Sequence, residues 1–159
     1  MAADQHIIQG ISYTESPDEI RVFIPSRFDT YTAPTMEGVF GEFILRPKLI
    51  VADFRNCAFL SSAGMRVLLS VHKRNDGLLL LDNVHGGVRE NLDIAGLAET
   101  FAINVPAEKL KNRLIRRNNQ MLNKVLFKKI CDFLNDPNMD NQTKRQKIIR
   151  AIDERFSNQ

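Results

Sequence analysis

The chain has 159 residues, of which 43% are apolar and 26% charged, proportions that suit a soluble globular protein with one domain, or one domain and an appendage. No apolar run approaches the roughly 20 residues that a membrane span needs. Met1–His6 has no basic segment followed by an apolar one, so no secretory leader is expected and the cytoplasm is the expected location.

Charge is unevenly spread. Residues 1–105 hold nine Lys or Arg against thirteen Asp or Glu, and residues 106–159 hold thirteen against six, within a net +3. An acidic body therefore carries a basic tail. Cys57 and Cys131 fall in separate elements without motif spacing, and read as reduced thiols rather than as a disulfide or a metal pair.

In chain order, His6–Tyr13 alternates weakly and predicts an edge strand. Ser16-Pro17-Asp18 marks a turn, and Glu19–Ile24 predicts a second strand, stopped by Pro25, that forms a hairpin with the first. Residues 26–31 read as a polar link with one large apolar side chain, Phe28. Pro34 suits a first helical turn, and Met36, Val39, Phe40 and Phe43 follow at helical spacing. Arg46-Pro47 closes that connection. Leu49–Phe54 is apolar throughout, as a strand covered on both faces should be. After a polar break comes a helix that begins at two serines, with Met65, Leu68 and Leu69 along one stripe, Val67 and Val71 widening it, and Gly77 past its end. Leu78–Leu81 predicts a buried strand, Gly86-Gly87 a loop, Val88–Ala95 a short helix closed by Gly96, and Phe101–Ile103 a short strand.

From Ala107 to Leu134 the pattern predicts one long helix. Its apolar stripe runs from Leu110 and Leu114 through Met121, Leu122, Val125, Leu126 and Ile130 to Phe133, opposite a basic face. Asn135–Asn138 breaks it, and a second amphipathic helix spans about Gln142–Phe156, giving a helical hairpin. The alternation of strands and helices predicts an α/β fold whose sheet is mixed, mostly parallel after the N-terminal hairpin, and flanked by helices. A division into a body at 1–117 and a basic helical extension at 118–159 is expected.

Enzyme signatures fail in turn. No Gly-rich phosphate loop is present, and no serine stands in a nucleophile elbow. His6, His72 and His85 lack ligand spacing and read as surface residues. No cofactor, metal or catalytic residue is expected.

Two stretches carry the remaining information. Phe59-Leu60-Ser61-Ser62-Ala63-Gly64-Met65-Arg66-Val67-Leu68-Leu69 follows the apolar strand, and Ser26–Pro34 precedes the first helix. The first resembles the central motif of STAS domains, and more closely that of the bacterial anti-sigma factor antagonists, in which an Asp-Ser-Ser-Gly-Leu type sequence follows a buried strand. The second resembles the Gly-x-Leu-Asp segment of that family and places its aspartate on Asp29. Residues 82–103 resemble the family's last helix and strand, so the likeness covers roughly residues 6–117. It implies a STAS-type fold with a C-terminal helical extension, and Ser62 as the phosphoacceptor. It further implies Asp29, Ser61, Ala63, Gly64, Met65 and Arg66 as partner-contacting residues. Ser61 stands where the family carries an acidic residue, and Ala63 where it carries a second serine.

The implied function is a phosphorylation-controlled regulator, not an enzyme, that sequesters an anti-sigma factor or a serine kinase of the histidine-kinase-like ATPase fold. A serine phosphatase would reverse the modification. The alternative is a STAS subunit of a membrane transporter or lipid-export complex. Taken singly, each residue has a plainer reading: Ser61 and Ser62 as helix caps, Asp29 as a turn cap, Arg66 as a solvated residue, Met65 as core. Gly64 suits a close approach of its helix to the sheet or to another chain. The tail reads either as a packing or dimer contact through residues 107–156, or as a binding element for an acidic partner. With only three aromatic residues in it, direct nucleic-acid binding is not expected.

Overall fold

The computed structural model describes residues 3–44, 46 and 48–157. Met1, Ala2 and Pro47, on which the leader and connection readings partly fall, lie outside the described residues. The chain divides into two compact units, Met1–Leu114 and Ile115–Gln159.

The first unit opens on β1 (Asp4–Ile8) and β2 (Ile11–Glu15), which pair antiparallel with Ile8 opposite Ile11. This corrects the single edge strand predicted over 6–13. Gln9 and Gly10 both take positive φ, 49° and 79°, the two-residue turn whose twist suits a hairpin. Gln rarely marks such a turn, so only Gly10 signalled it. β3 (Glu19–Phe23) then pairs antiparallel with β2, as the predicted hairpin requires.

β4 (Arg27–Phe28) lies in the segment read as a polar link, and Phe28 within it is fully buried. The link is a strand because it pairs in parallel with β6, reached later in the chain. α1 (Ala33–Ile44) places Pro34 in its first turn and buries Met36, Val39, Phe40 and Phe43. Burial of an aromatic or aliphatic side chain of this kind contributes roughly 1.5–3 kcal/mol. β5 (Leu49–Asp53) is buried at every residue, and β6 (Phe59–Leu60) completes the small pair with β4.

α2 (Ser62–Arg74) buries Gly64, Val67, Leu68 and Val71. The predicted stripe of Met65, Leu68 and Leu69 is thus rotated: Met65 and Leu69 lie half-buried at its edge. The reason is Gly64, which lets the helix approach the sheet on the side without a side chain. At the other end the Gly77 N–H donates to the His72 carbonyl at 2.8 Å, with Gly77 at φ 74°, closing the helix in the glycine-dependent way. β7 (Leu79–Asp82) follows. α3 (Gly86–Ile94) begins at the glycine pair that was read as a loop, then β8 (Ala102–Ile103).

The six-stranded sheet runs β1-β2-β3-β5-β7-β8, with β3, β5, β7 and β8 parallel. Alternation along β5 and β7 explains their continuous apolarity. Ile50, Ala52, Leu79 and Leu81 join the core that contains the buried residues of α1, α2 and α3. Leu49, Val51, Leu78 and Leu80 face the other way and meet Leu110 and Leu114, from the first turns of α4 (Ala107–Leu134).

The second unit contains the rest of α4 and α5 (Asn141–Ser157). The Arg155 guanidinium donates to Asn123 Oδ1 at 3.2 Å and Lys144 Nζ to the Leu134 carbonyl at 3.0 Å, so α5 doubles back along α4. Met121, Leu122 and Val125 of the predicted apolar stripe are exposed, and no residue of 115–157 is buried.

Candidate functional site

Parallel strands deliver their following loops to one end of the sheet, where doubly covered sheets usually place their sites. Here the segments after β3, β5 and β7 gather at that end. The small β4–β6 pair ties two of them together. The Ala58 N–H donates to the Ser26 carbonyl and the Ser61 N–H to the Phe28 carbonyl, each at 2.9 Å. The Asn91 amide of α3 donates to the Leu60 carbonyl at 2.9 Å, bracing the same segment.

This frame sets the start of α2. Ser61 is its N-cap, with extended backbone (φ −92°, ψ 172°), and its Oγ accepts from the Gly64 N–H at 3.4 Å. Ser62 is the first helical residue, and its side chain is exposed. Amides of a first helical turn lack intrahelical partners and sit at the positive end of the dipole. Ala63 and Met65 are half-buried and Arg66 is exposed one turn beyond Ser62. Gly64 is buried: a Cβ placed there would stand 2.7 Å from Leu60 Cδ1, 2.8 Å from the Phe28 carbonyl oxygen and 2.9 Å from Phe28 Cδ1. Of the two close approaches open to Gly64, its contact within the body is therefore explicit.

Asp29 shapes the neighbouring segment. Its carbonyl accepts the Ala33 N–H at 2.8 Å, and its Oδ1 accepts the Tyr31 and Thr32 amides at 3.0 and 3.3 Å. Arg27 Nε donates to Oδ2 at 3.1 Å. Partial desolvation opposes ionisation of Asp29, but the Arg27 guanidinium and the two amides outweigh it and hold the carboxyl below its ordinary value. The turn that launches α1 is thus organised by Asp29, where the resemblance places the family's aspartate.

Between the starts of α1 and α2 runs a groove of ≈ 300 Å³, lined by residues including Thr30, Pro34, Glu37, Ala63 and Arg66. It brings together Ala63 and Arg66 from the stretch 59–69 and Thr30 and Pro34 from the stretch 26–34. Gly64 lies beneath this surface rather than on it.

Two aromatic residues near the same end were missed. Tyr31 is 91% exposed, immediately after the Asp29 turn. Phe59 is half-covered by the Arg27 guanidinium, which stands 4.3 Å from its ring centroid. The only sequence signal was an aromatic inside an otherwise polar loop. A third missed feature is a charge cluster where β3, β5 and β7 end. Arg21 Nη1 lies 2.8 Å from both Asp53 Oδ2 and Asp82 Oδ2, Arg55 Nη2 lies 2.6 Å from Asp53, and the Asn83 amide donates to Asp53 at 2.9 Å. Burial would raise the Asp53 carboxyl, but the bonds from Arg55, Asn83 and Arg21 lower it to about 2. A lone Asp at the end of an apolar strand was the available signal.

Of the histidines, His72 is half-buried, edge-on to Phe101 at 5.6 Å, rather than at the surface. Cys57 is buried, and burial raises its thiol pKa. Among the described residues, no helix is long and apolar enough to cross a membrane.

The family model for the STAS domain matches residues 11–114. Among solved structures, an anti-sigma factor antagonist from Mycobacterium paratuberculosis superposes with a TM-score of 0.56 at 18% identity, over 65% of this chain and 92% of that one. An anti-sigma-factor antagonist (STAS) domain protein from Planctomyces limnophilus gives 0.53 at 17% identity, over 63% and 94%. The anti-sigma factor antagonist SpoIIAA in its unphosphorylated form gives 0.51 at 14% identity, over 70% and 95%. At these identities the likeness is one of fold. No protein of curated function matches the sequence.

Proposed function

The chain belongs to the STAS domain family, and we propose that it is a protein-binding regulator switched by phosphorylation of Ser62. In the unmodified state the end of the body around Ser62, with the groove between α1 and α2, docks an anti-sigma factor or a serine kinase of the histidine-kinase-like ATPase fold. A serine phosphatase returns the modified form to this state. The STAS body does this work, and residues 118–159 form a separate extension.

The observation that carries the reading is the position of Ser62, an exposed hydroxyl at the first turn of α2 beside a groove. Phosphorylation adds about two negative charges and several acceptor oxygens there. The α2 amides tolerate such a group locally. A partner packed on the same surface meets a new, strongly hydrated anion, so the complex separates without a change of fold. The exposed Tyr31 ring suits an anchor for that partner, since aromatic side chains concentrate binding energy.

Ser61 in place of the family's acid is compatible with this scheme. Its hydroxyl caps the helix, which is the part of a carboxylate's work that the local backbone needs. The test is a pull-down of the unmodified chain followed by kinase treatment and mass spectrometry. The expected result is an ATPase-fold kinase partner that modifies Ser62 and is then released. Modification confined to other residues, or capture of a transporter ATPase insensitive to Ser62→Asp, would overturn the reading.

A further inference from the structure

Residues 115–157 contain no buried side chain, although both of their helices are amphipathic. Helices of this kind depend on packing for most of their stability, and a two-helix pair of this size makes little core alone. On one side of the pair lie two adjoining grooves whose lining includes Leu122, Val125, Phe133 and Ala151, together with Glu154 and the cations Lys129, Lys147, Arg150 and Arg155.

The other side is different. Phe127 and Leu134 stand seven residues apart on α4, and Ile149, Ile152 and Phe156 follow at spacings of three and four on α5. None of these five lines either groove. Phe127 is two residues from Val125 and Ile149 two from Ala151, about 200° around their helices. Their exposures are 69% for Phe127, 55% for Leu134, 50% for Ile149, 37% for Ile152 and 52% for Phe156. Side chains of these sizes then present roughly 500 Å² of apolar surface in one stripe, given about 150–250 Å² for each aromatic. A standard interface buries about 800 Å² per partner, a little over half of it apolar, so the stripe has the area that a stable dimer needs.

We propose that this stripe docks a second copy of the chain, two helical pairs joining through their Phe127–Phe156 faces into a four-helix arrangement. The distribution of charge selects this occupant. An anionic membrane draws apolar and basic groups to one face. Here Lys129, Lys147 and Arg150 stand on the groove side, away from the stripe, and the Arg155 guanidinium lies at the stripe's edge, 5.0 Å from the Phe156 ring centroid, so a copy can cover the apolar face with three of the four groove cations left outside the contact. Arg145, one turn before Ile149, and Asp153 are left at the rim, where charges are tolerated at interfaces.

Sedimentation equilibrium of the full chain, from about 1 to 100 μM, tests the proposal. The expected mass is twice the 18.1 kDa of one chain. The double variant Phe127→Ser with Ile152→Ser is expected to dissociate at least about tenfold more readily, while Lys147→Gln with Arg150→Gln in the groove keeps the dimer. A single-chain mass at every concentration overturns the proposal, as does a stripe variant as dimeric as the parent. So does co-sedimentation of a single-chain species with phosphatidylglycerol vesicles. Amide hydrogen exchange on the unmutated chain gives a reading that no folding defect can confuse. Protection rising with concentration across 127–134 and 149–156 supports the interface, and protection rising only within residues 3–114 overturns it.

Discussion

The carbonyl oxygen of Phe28 stands 2.8 Å from where a methyl group on Gly64 would lie, while it accepts the Ser61 amide at 2.9 Å. One backbone atom thus fixes the residue before α2 and forbids a side chain three positions later. The segment carrying Ser62 is held against the small β4–β6 sheet from both sides. Its hydroxyl is presented by a rigid backbone rather than by a loop free to adapt.

Gly64→Ala follows directly. The added carbon meets a backbone carbonyl as well as the Leu60 side chain, and the carbonyl cannot turn aside without losing the Ser61 bond. The variant is expected to lose about 1–3 kcal/mol of stability, the range for overpacking a core. Urea unfolding measures it, and a midpoint equal to that of the parent would contradict the close approach.

Ser61 is expected to act through its cap. Ser61→Ala should cost about 0.5–1 kcal/mol, near the lower end for caps because its bond to the Gly64 amide is long. Ser61→Asp should keep the parent stability, since a carboxylate caps equally well and faces the helix dipole favourably. Thermal unfolding of the pair separates capping from any effect of the carboxylate on phosphorylation.

At Ser62 the expectation concerns binding, not stability. The exposed side chain makes Ser62→Ala and Ser62→Asp close to neutral in unfolding experiments. Ser62→Asp should bind the captured partner at least about tenfold more weakly, a small fraction of what a phosphate does, because it adds one charge in place of about two. Titration calorimetry decides this, and unchanged affinity would remove Ser62 from the switch.

Asp53 predicts an acid dependence. Burial disfavours its charge, but Arg55, Asn83 and Arg21 overcome that and hold its carboxyl at about 2, below the ordinary 3.8. The ionised form is stabilised only in the fold, so its contribution is complete above pH about 4 and is lost as pH falls towards 2. A shift of this size corresponds to roughly 2–3 kcal/mol. Asp53→Asn should therefore be less stable than the parent at pH 6 and show a flatter stability profile from pH 5 to 2.5. Parallel profiles would place the titration elsewhere.

Asp29→Ala should loosen the turn before α1, removing the acceptor of the Tyr31 and Thr32 amides. Faster amide exchange at residues 30–34 is its specific sign, and the groove that includes Thr30 and Pro34 should bind the partner less well.

The regular elements were legible because their causes are local. Apolar residues of Ala33–Ile44 recur at helical spacing, β5 is apolar on both faces, and α4 has the bounds that its pattern predicts, Ala107–Leu134. The motif around Ser62 was equally plain, since a strand, two serines and a glycine before a helix are adjacent in sequence. The short strands were not. β4 and β6 have two residues each and exist only because they pair across 30 intervening residues, a contact that neither segment encodes alone. The same is true of Arg21, Asp53 and Asp82, which come from three strands and meet only when those strands align in parallel.

What the sequence determined by itself was the body of each helix and of the longer buried strands β3, β5 and β7, and that one hydroxyl begins α2, because periodicity and capping act within a few residues. Tertiary structure decided how α2 is turned. Its buried face passes through Gly64 rather than Met65, since only a missing side chain permits contact with the Phe28 carbonyl. That rotation leaves Met65 half-buried and Arg66 exposed beside Ser62. It is a packing choice between distant segments, beyond what any local pattern can fix.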